Sequence, residues 1–154
     1  MNQETEEYIV ESPADGIVYG IFIVMAGVVL PALLIPIVTM TGYSEVIEEF
    51  AKALVVSFLI LQLSSHKSQI IGAVVFGFWF GLSENMLYLN QIFQLGDMSV
   101  FLNRFIWTLP MHILTILIMT FSGMAGRVFL VFGFVAAVIL HAFFNQIIVS
   151  MITG

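Results

Sequence analysis

The sequence has no cysteine, and only four of its 154 residues are lysine or arginine. The first absence excludes disulfides and thiolate chemistry. The second, with a formal net charge of -6 at pH 7, excludes the basic surface that a nucleic-acid partner requires. Charge of either sign is scarce: charged residues make up 9% of the chain, against 60% hydrophobic ones. Apolar stretches of roughly 20 residues, the length of a membrane span, recur through to the C-terminus. A soluble core cannot hide so much apolar surface. The composition therefore predicts an all-α, multi-pass integral membrane bundle of about five transmembrane helices, with the lipid bilayer as its solvent.

Much of the acidity gathers in Glu4, Glu6, Glu7, Glu11 and Asp15. The expectation is a short acidic tail over residues 1–12, followed by a single transmembrane domain over 13–154. The tail lacks the basic start and small-residue cleavage site of a secretory signal, so the first helix is read as retained. Ser12-Pro13 is a helix start, with a capping side chain followed by proline at the first helical position. Spans are expected at about 13–40, 45–63, 70–93, 104–121 and 128–152, the first open to kinking at Pro31 and Pro36, which membrane helices tolerate. The breaks are the Thr41 to Ser44 turn, the polar string Ser64 to Gln69, the stretch 94–103 and the glycine-punctuated reversal 122–127. Lys67 and Arg127 share a side with the N-terminus, against Arg104 on the other. The positive-inside rule then places the N-terminus in the cytoplasm and the protein in the cell membrane.

The informative residues are the ionisable ones inside spans: Glu48, Glu49 and Lys52, then Glu84, His112 and His141. A charge near the middle of a membrane helix costs roughly 2.5–3.5 kcal/mol, so such a set calls for a function. At about 1.5 Å rise per residue, the threading places Glu48 and Glu49 roughly 5 Å, His112 roughly 12 Å, and Glu84 and His141 roughly 14–17 Å from the same membrane surface. Glu48 and Lys52, Glu84 and Tyr88, and His141 and Asn145 are each four apart and share a helix face. Carboxylates that can deprotonate water, imidazoles that can hold or protonate reacting groups, and an amide that can donate to an oxyanion together suit hydrolysis. Two histidines and a carboxylate, here His112, His141 and Glu48, also form a set that can hold a zinc ion (Zn2+).

These residues fall into four ordered motifs. They are Glu48-Glu49-Phe50-Ala51-Lys52, Phe80-Gly81-Leu82-Ser83-Glu84-Asn85, Arg104 followed by His112, and His141-Ala142-Phe143-Phe144-Asn145. The order resembles that of the PrsW-type intramembrane proteases, distant relatives of the CAAX prenyl endopeptidase group. Where that family often carries Asp-Gly-x-x-x-Gly before its Glu-Asn helix, this chain reads Ser68-Gln69-Ile70-Ile71-Gly72, and a similar string, Asp15 to Gly20, lies in span one. The resemblance implies an intramembrane peptidase, glutamate- or metal-dependent, that cleaves a membrane-anchored protein substrate such as an anti-sigma-factor-like regulator. In that reading Glu48, with Glu49, activates water. His112 and His141 position it or bind metal, Glu84 completes the cluster, Asn145 stabilises the oxyanion and Arg104 holds a substrate carboxylate.

Each residue also has a plainer reading. Glu48 and Glu49 suit the first turn of a helix with Lys52 as ion-pair partner, the histidines and asparagines suit interhelical hydrogen bonds, and Arg104 suits an interfacial anchor. Gly16/Gly20 and Gly77/Gly81 are expected to let helices approach closely. Intramembrane Glu and His also build proton relays, so a proton- or ion-coupled transporter or channel is the competing reading, and an inactive membrane partner protein a third.

Overall fold

The structure, a computed structural model, describes residues 13–95 and 98–153. The acidic tail expected over 1–12 and the Ser12 cap lie outside the described residues. Five helices follow in order: α1 (Pro13–Thr41), α2 (Ser44–Gln62), α3 (His66–Leu95), α4 (Met98–Ala125) and α5 (Arg127–Thr153). No strand occurs among the described residues. Among the described residues, four helices contain segments long and apolar enough to cross a membrane: Ala14–Thr41, His66–Leu89, Arg104–Ala125 and Arg127–Ile147.

The second and third helices meet through polar side chains that cap their ends. Ser65 Oγ accepts the Ser68 backbone N–H at 3.0 Å, so the string expected as a loop is in large part the capped first turn of α3. Gln69 Nε2 donates to the Leu63 carbonyl at 2.8 Å, satisfying an acceptor at the end of α2. Two glycines make the tight reversals. Gly42 follows α1 at φ 75°, and Gly126 separates α4 from α5 at φ 146°, both backbone conformations that side chains oppose.

The remaining helix, α2, is the charged one, with Glu45, Glu48, Glu49 and Lys52 in its first half. It contacts each of the other four helices. That central place follows from solvation, since a carboxylate or ammonium facing lipid has no partner and one enclosed by helices can find one. Its buried residues, Glu48, Glu49, Lys52, Val55, Val56 and Leu59, recur at helical spacing, while Phe50 and Leu54 on the outer face are exposed. Alongside the charges an apolar core is filled by Phe76, Phe80, Ile116, Met119 and Ala137, all fully buried.

Small residues set how closely α3 meets its neighbours. A Cβ on Gly77 would stand 2.9 Å from Ile113 Cα, and one on Gly81 3.0 Å from His112 Cδ2, as the expected close approach of α3 and α4 requires. The same expectation fails for Gly16 and Gly20, which have nothing within 4 Å of such a Cβ. The first turns of α1 present Ile17, Val18 and Ile21 as exposed residues. Its close contact comes later, where a Gly27 Cβ would lie 2.7 Å from Trp79 Cβ. Next to it, Ser83 Oγ donates to the Val28 carbonyl at 2.7 Å and ties α1 to α3.

Candidate active site

The buried ionisable residues form one continuous chain across four helices. Lys52 is its middle link. Its Nζ lies 2.6 Å from Glu49 Oε1, one turn back on α2, and 2.7 Å from His112 Nδ1 on α4. Glu49 Oε1 in turn lies 2.7 Å from His141 Nδ1 on α5. At the far end His112 Nε2 lies against Glu84 Oε2 on α3. At the other, His141 Nε2 faces Glu48 Oε2 across 3.9 Å. Lys52, Glu49 and His112 are completely buried, and His141 nearly so. Phe80 packs against this link, its ring 4.6 Å from the ammonium and 5.3 Å from the His112 ring, so the lysine gains a cation–π contact in a dry setting.

These contacts assign opposite roles to the two imidazoles. An ammonium only donates, so Lys52 makes His112 Nδ1 an acceptor and leaves the ring proton on Nε2, the nitrogen beside Glu84. A carboxylate only accepts, so Glu49 takes the Nδ1–H of His141; in the neutral ring Nε2 is then an acceptor, 3.9 Å from the Glu48 Oε2 acceptor and not bonded to it. The rings stand nearly perpendicular with centroids 5.5 Å apart.

The carboxylates differ as sharply. Glu49 is held twice through Oε1, by Lys52 and His141, and is shut away from the cavity described next. Glu84 is held through Oε2 by His112. Glu48 Oε2 is buried with no hydrogen-bond partner. Glu48 and Glu84 both line a cavity of about 160 Å³ between α1, α2 and α3, whose other walls include Pro31, Leu34, Val38, Leu87 and Tyr88. A buried acceptor without a donor is costly; Glu49 Oε2 is likewise without a hydrogen-bond partner, and what sets Glu48 apart from Glu49 is that it lines the cavity. Arg104 joins the cluster at its edge, with Nη2 3.7 Å from Glu84 Oε1 and the guanidinium stacked 4.0 Å over the Tyr88 ring. Asn145 turns toward α2 instead of the histidines. Its Nδ2 donates to Glu45 Oε1 at 2.9 Å, fixing it one helical turn beyond His141. Asn85 turns back to its own helix, donating to the Gly81 carbonyl at 2.9 Å.

Of the residues singled out in the sequence, Glu48, Glu49, Glu84, His112 and His141 thus converge, Arg104 borders them and Asn145 sits beside them. Sequence spacing offered Lys52 either Glu48 or Glu49 as partner, and the structure selects Glu49. It gave no sign of the bond to His112, 60 positions away. The α1 wall of the cavity was also missed, because Pro31, Leu34 and Val38 carry no polar group to mark them. Comparison with curated proteins and with solved structures finds no match. The PrsW family of intramembrane metalloproteases matches over residues 25–154, a stretch that takes in all four motifs and every residue of this cluster, and the chain belongs to that family.

Proposed function

We propose that this chain hydrolyses a peptide bond in or next to the membrane of a membrane-anchored protein, with Glu48 as the general base. The observation that supports this choice is the division of labour between neighbouring carboxylates. Both keep a buried Oε2 without a hydrogen-bond partner, but Glu49 is engaged through Oε1 by Lys52 and His141 away from the cavity, whereas Glu48 lines the cavity wall. A water between Glu48 Oε2 and His141 Nε2 meets two acceptors at a spacing of 3.9 Å, suited to a bridging water. Both its hydrogens are then engaged and a lone pair is directed at the substrate. Glu48 removes one proton as the oxygen attacks the carbonyl carbon, and returns it to the leaving nitrogen as the carbon–nitrogen bond breaks. Asn145 has two N–H hydrogens, one given to Glu45, and the other serves the developing oxyanion. Lys52, Glu49 and His112 hold His141 and Glu84 in place.

The family description names a metal, and the donor set discriminates among the residues that would hold one. Metal-bound histidines commonly donate their other N–H to a carboxylate. Among the described residues no three histidine or carboxylate side chains are grouped closely enough to hold an ion as they stand; by hydrogen-bonding state alone, His141 with its Nδ1–H given to Glu49, the unpartnered Glu48 Oε2 and Glu84 Oε1 are the donors that would have to converge on a zinc ion. His112 does not fit, because Lys52 occupies its Nδ1 as a donor and the ring proton stands on the nitrogen a metal would need. When bound, the ion would polarise the attacking water. An anti-sigma-factor-like regulator is the proposed substrate type, and a cytoplasmic N-terminus the proposed orientation.

Glu48→Gln keeps the size of the side chain and removes the base. General-base contributions run to about 10²–10⁴ in rate, so cleavage of a co-expressed single-pass membrane reporter should fall by at least about a hundredfold. Thermal unfolding in detergent should be retained. Cleavage at the wild-type rate in E48Q refutes the assignment, and proton-coupled solute flux in proteoliposomes would replace it with the transporter reading.

A further inference from the structure

The cavity between α1, α2 and α3 combines a polar floor with a mostly apolar wall. Its polar floor is made by Glu48 and Glu84. Its wall on α1 is largely apolar, formed by Pro31, Leu34, Ile35 and Val38, with Thr39 the one polar member, its hydroxyl given to the Ile35 and Pro36 carbonyls. α1 is fixed to α3 by the Gly27 contact with Trp79 and by the Ser83 hydrogen bond to Val28. At about 160 Å³ the volume resembles that of an apolar cavity of roughly 150 Å³ known to take a benzene molecule.

Two kinds of occupant suit an apolar wall inside a membrane: a lipid acyl chain or an amino-acid side chain. The floor decides between them. Hydrocarbon would set a surface with no donor against two carboxylate-bearing residues, Glu48 and Glu84, at the cost that poorly solvated acceptors carry. A peptide segment that has unwound from its helix brings backbone N–H donors together with a side chain. It therefore satisfies floor and wall at once.

We infer that this cavity is the specificity subsite of the enzyme, receiving one branched aliphatic or aromatic side chain from an unwound substrate segment, at the residue next to the scissile bond. The inference rests on the protease reading above and deepens it. Acidic side chains are rejected by Glu48 and Glu84, and small ones leave the α1 wall unfilled. Leu34 is the residue that sets the depth of the subsite, being buried at the cavity wall on the helix opposite the carboxylates.

The test uses the full chain co-expressed with a library of single-pass membrane reporters whose juxtamembrane segment is randomised at about eight positions, enough to cover an unwound stretch of roughly 25 Å. Cleaved products are sequenced. Wild type should enrich Leu, Ile or Phe at one position flanking the cut. Discrimination against Ala there should be about tenfold or more, the range that a hydrophobic pocket provides. Leu34→Trp fills the cavity and should shift the preference at that position to Ala, Ser or Gly. Leu34→Ala deepens it and should admit Trp, which keeps the test decisive if the tryptophan variant fails to fold. Cleavage with the same residue preference in wild type and both variants overturns the subsite while leaving the protease reading standing. So does a flat preference accompanied by displacement of co-purified lipid in L34W. If wild type cleaves no reporter beyond the level of E48Q, the protease reading fails and the subsite with it.

Discussion

Lys52→Met tests the energetic centre of the molecule. The substitution nearly preserves side-chain length and removes the ammonium, leaving Glu49 fully buried with His141 as its remaining partner. It also strips His112 Nδ1 of its donor. Breaking a buried ion pair by deleting one member costs about 3–5 kcal/mol, because the survivor keeps its desolvation penalty without its counter-charge. At roughly 2–4 °C per kcal/mol for a chain of this size, the melting temperature should fall by about 6–20 °C. Removing both charges is a different perturbation. In Lys52→Met combined with Glu49→Gln no charge is stranded, and the amide carbonyl introduced by E49Q still accepts the Nδ1–H of His141. The double variant should recover most of the lost stability, since an apolar or neutral replacement of a whole buried pair is often close to neutral. Trp79 and Trp107 provide the readout, as fluorescence against temperature in detergent micelles, with circular dichroism as a second probe. A loss below about 1 kcal/mol in the single variant, the range of an exposed pair, would refute the argument. So would a double variant no more stable than K52M alone.

Two further tests concern the neighbours of this link. Gly81→Ala places a methyl group 3.0 Å from His112 Cδ2 and 3.3 Å from Leu109 Cα. It should destabilise by about 1–3 kcal/mol through overpacking and slow reporter cleavage by displacing α4. Gly16→Ala meets nothing within 4 Å and should raise stability by about 0.5–1 kcal/mol, the helical preference for alanine; equal effects in thermal unfolding would contradict the packing described. In equilibrium dialysis against zinc, followed by elemental analysis, any ion retained should depend on His141, Glu48 and Glu84 and survive His112→Ala. Loss of binding in H112A equal to that in H141A would overturn the tautomer assigned through Lys52.

Much of the architecture is legible in the chain because membrane helices announce themselves one at a time. The apolar runs of α1, α3, α4 and α5 are a property of consecutive residues, and lipid permits few alternatives to a helix for them. Their ends are less legible. Ser65 and Gln69 read as loop residues in the sequence, and only their side-chain contacts show that they cap α3 and α2. Gly16 and Gly20 have the same spacing as Gly77 and Gly81, yet only the second pair meets a neighbour, since spacing describes one helix surface and contact requires two.

The sequence by itself determined that Glu48, Glu49, Glu84, His112 and His141 had to be drawn together. Each is too costly to leave in lipid alone, and the four helices that carry them can satisfy them only inward. It could not assign their roles. Which glutamate is free and which is engaged depends on Lys52 reaching across to α4 and on His141 reaching α2, contacts made between residues 60 and 92 positions apart. The α1 wall that closes the cavity was decided by tertiary structure alone. An apolar residue facing a substrate and one facing lipid are identical in sequence, and only the position of the carboxylates opposite distinguishes them.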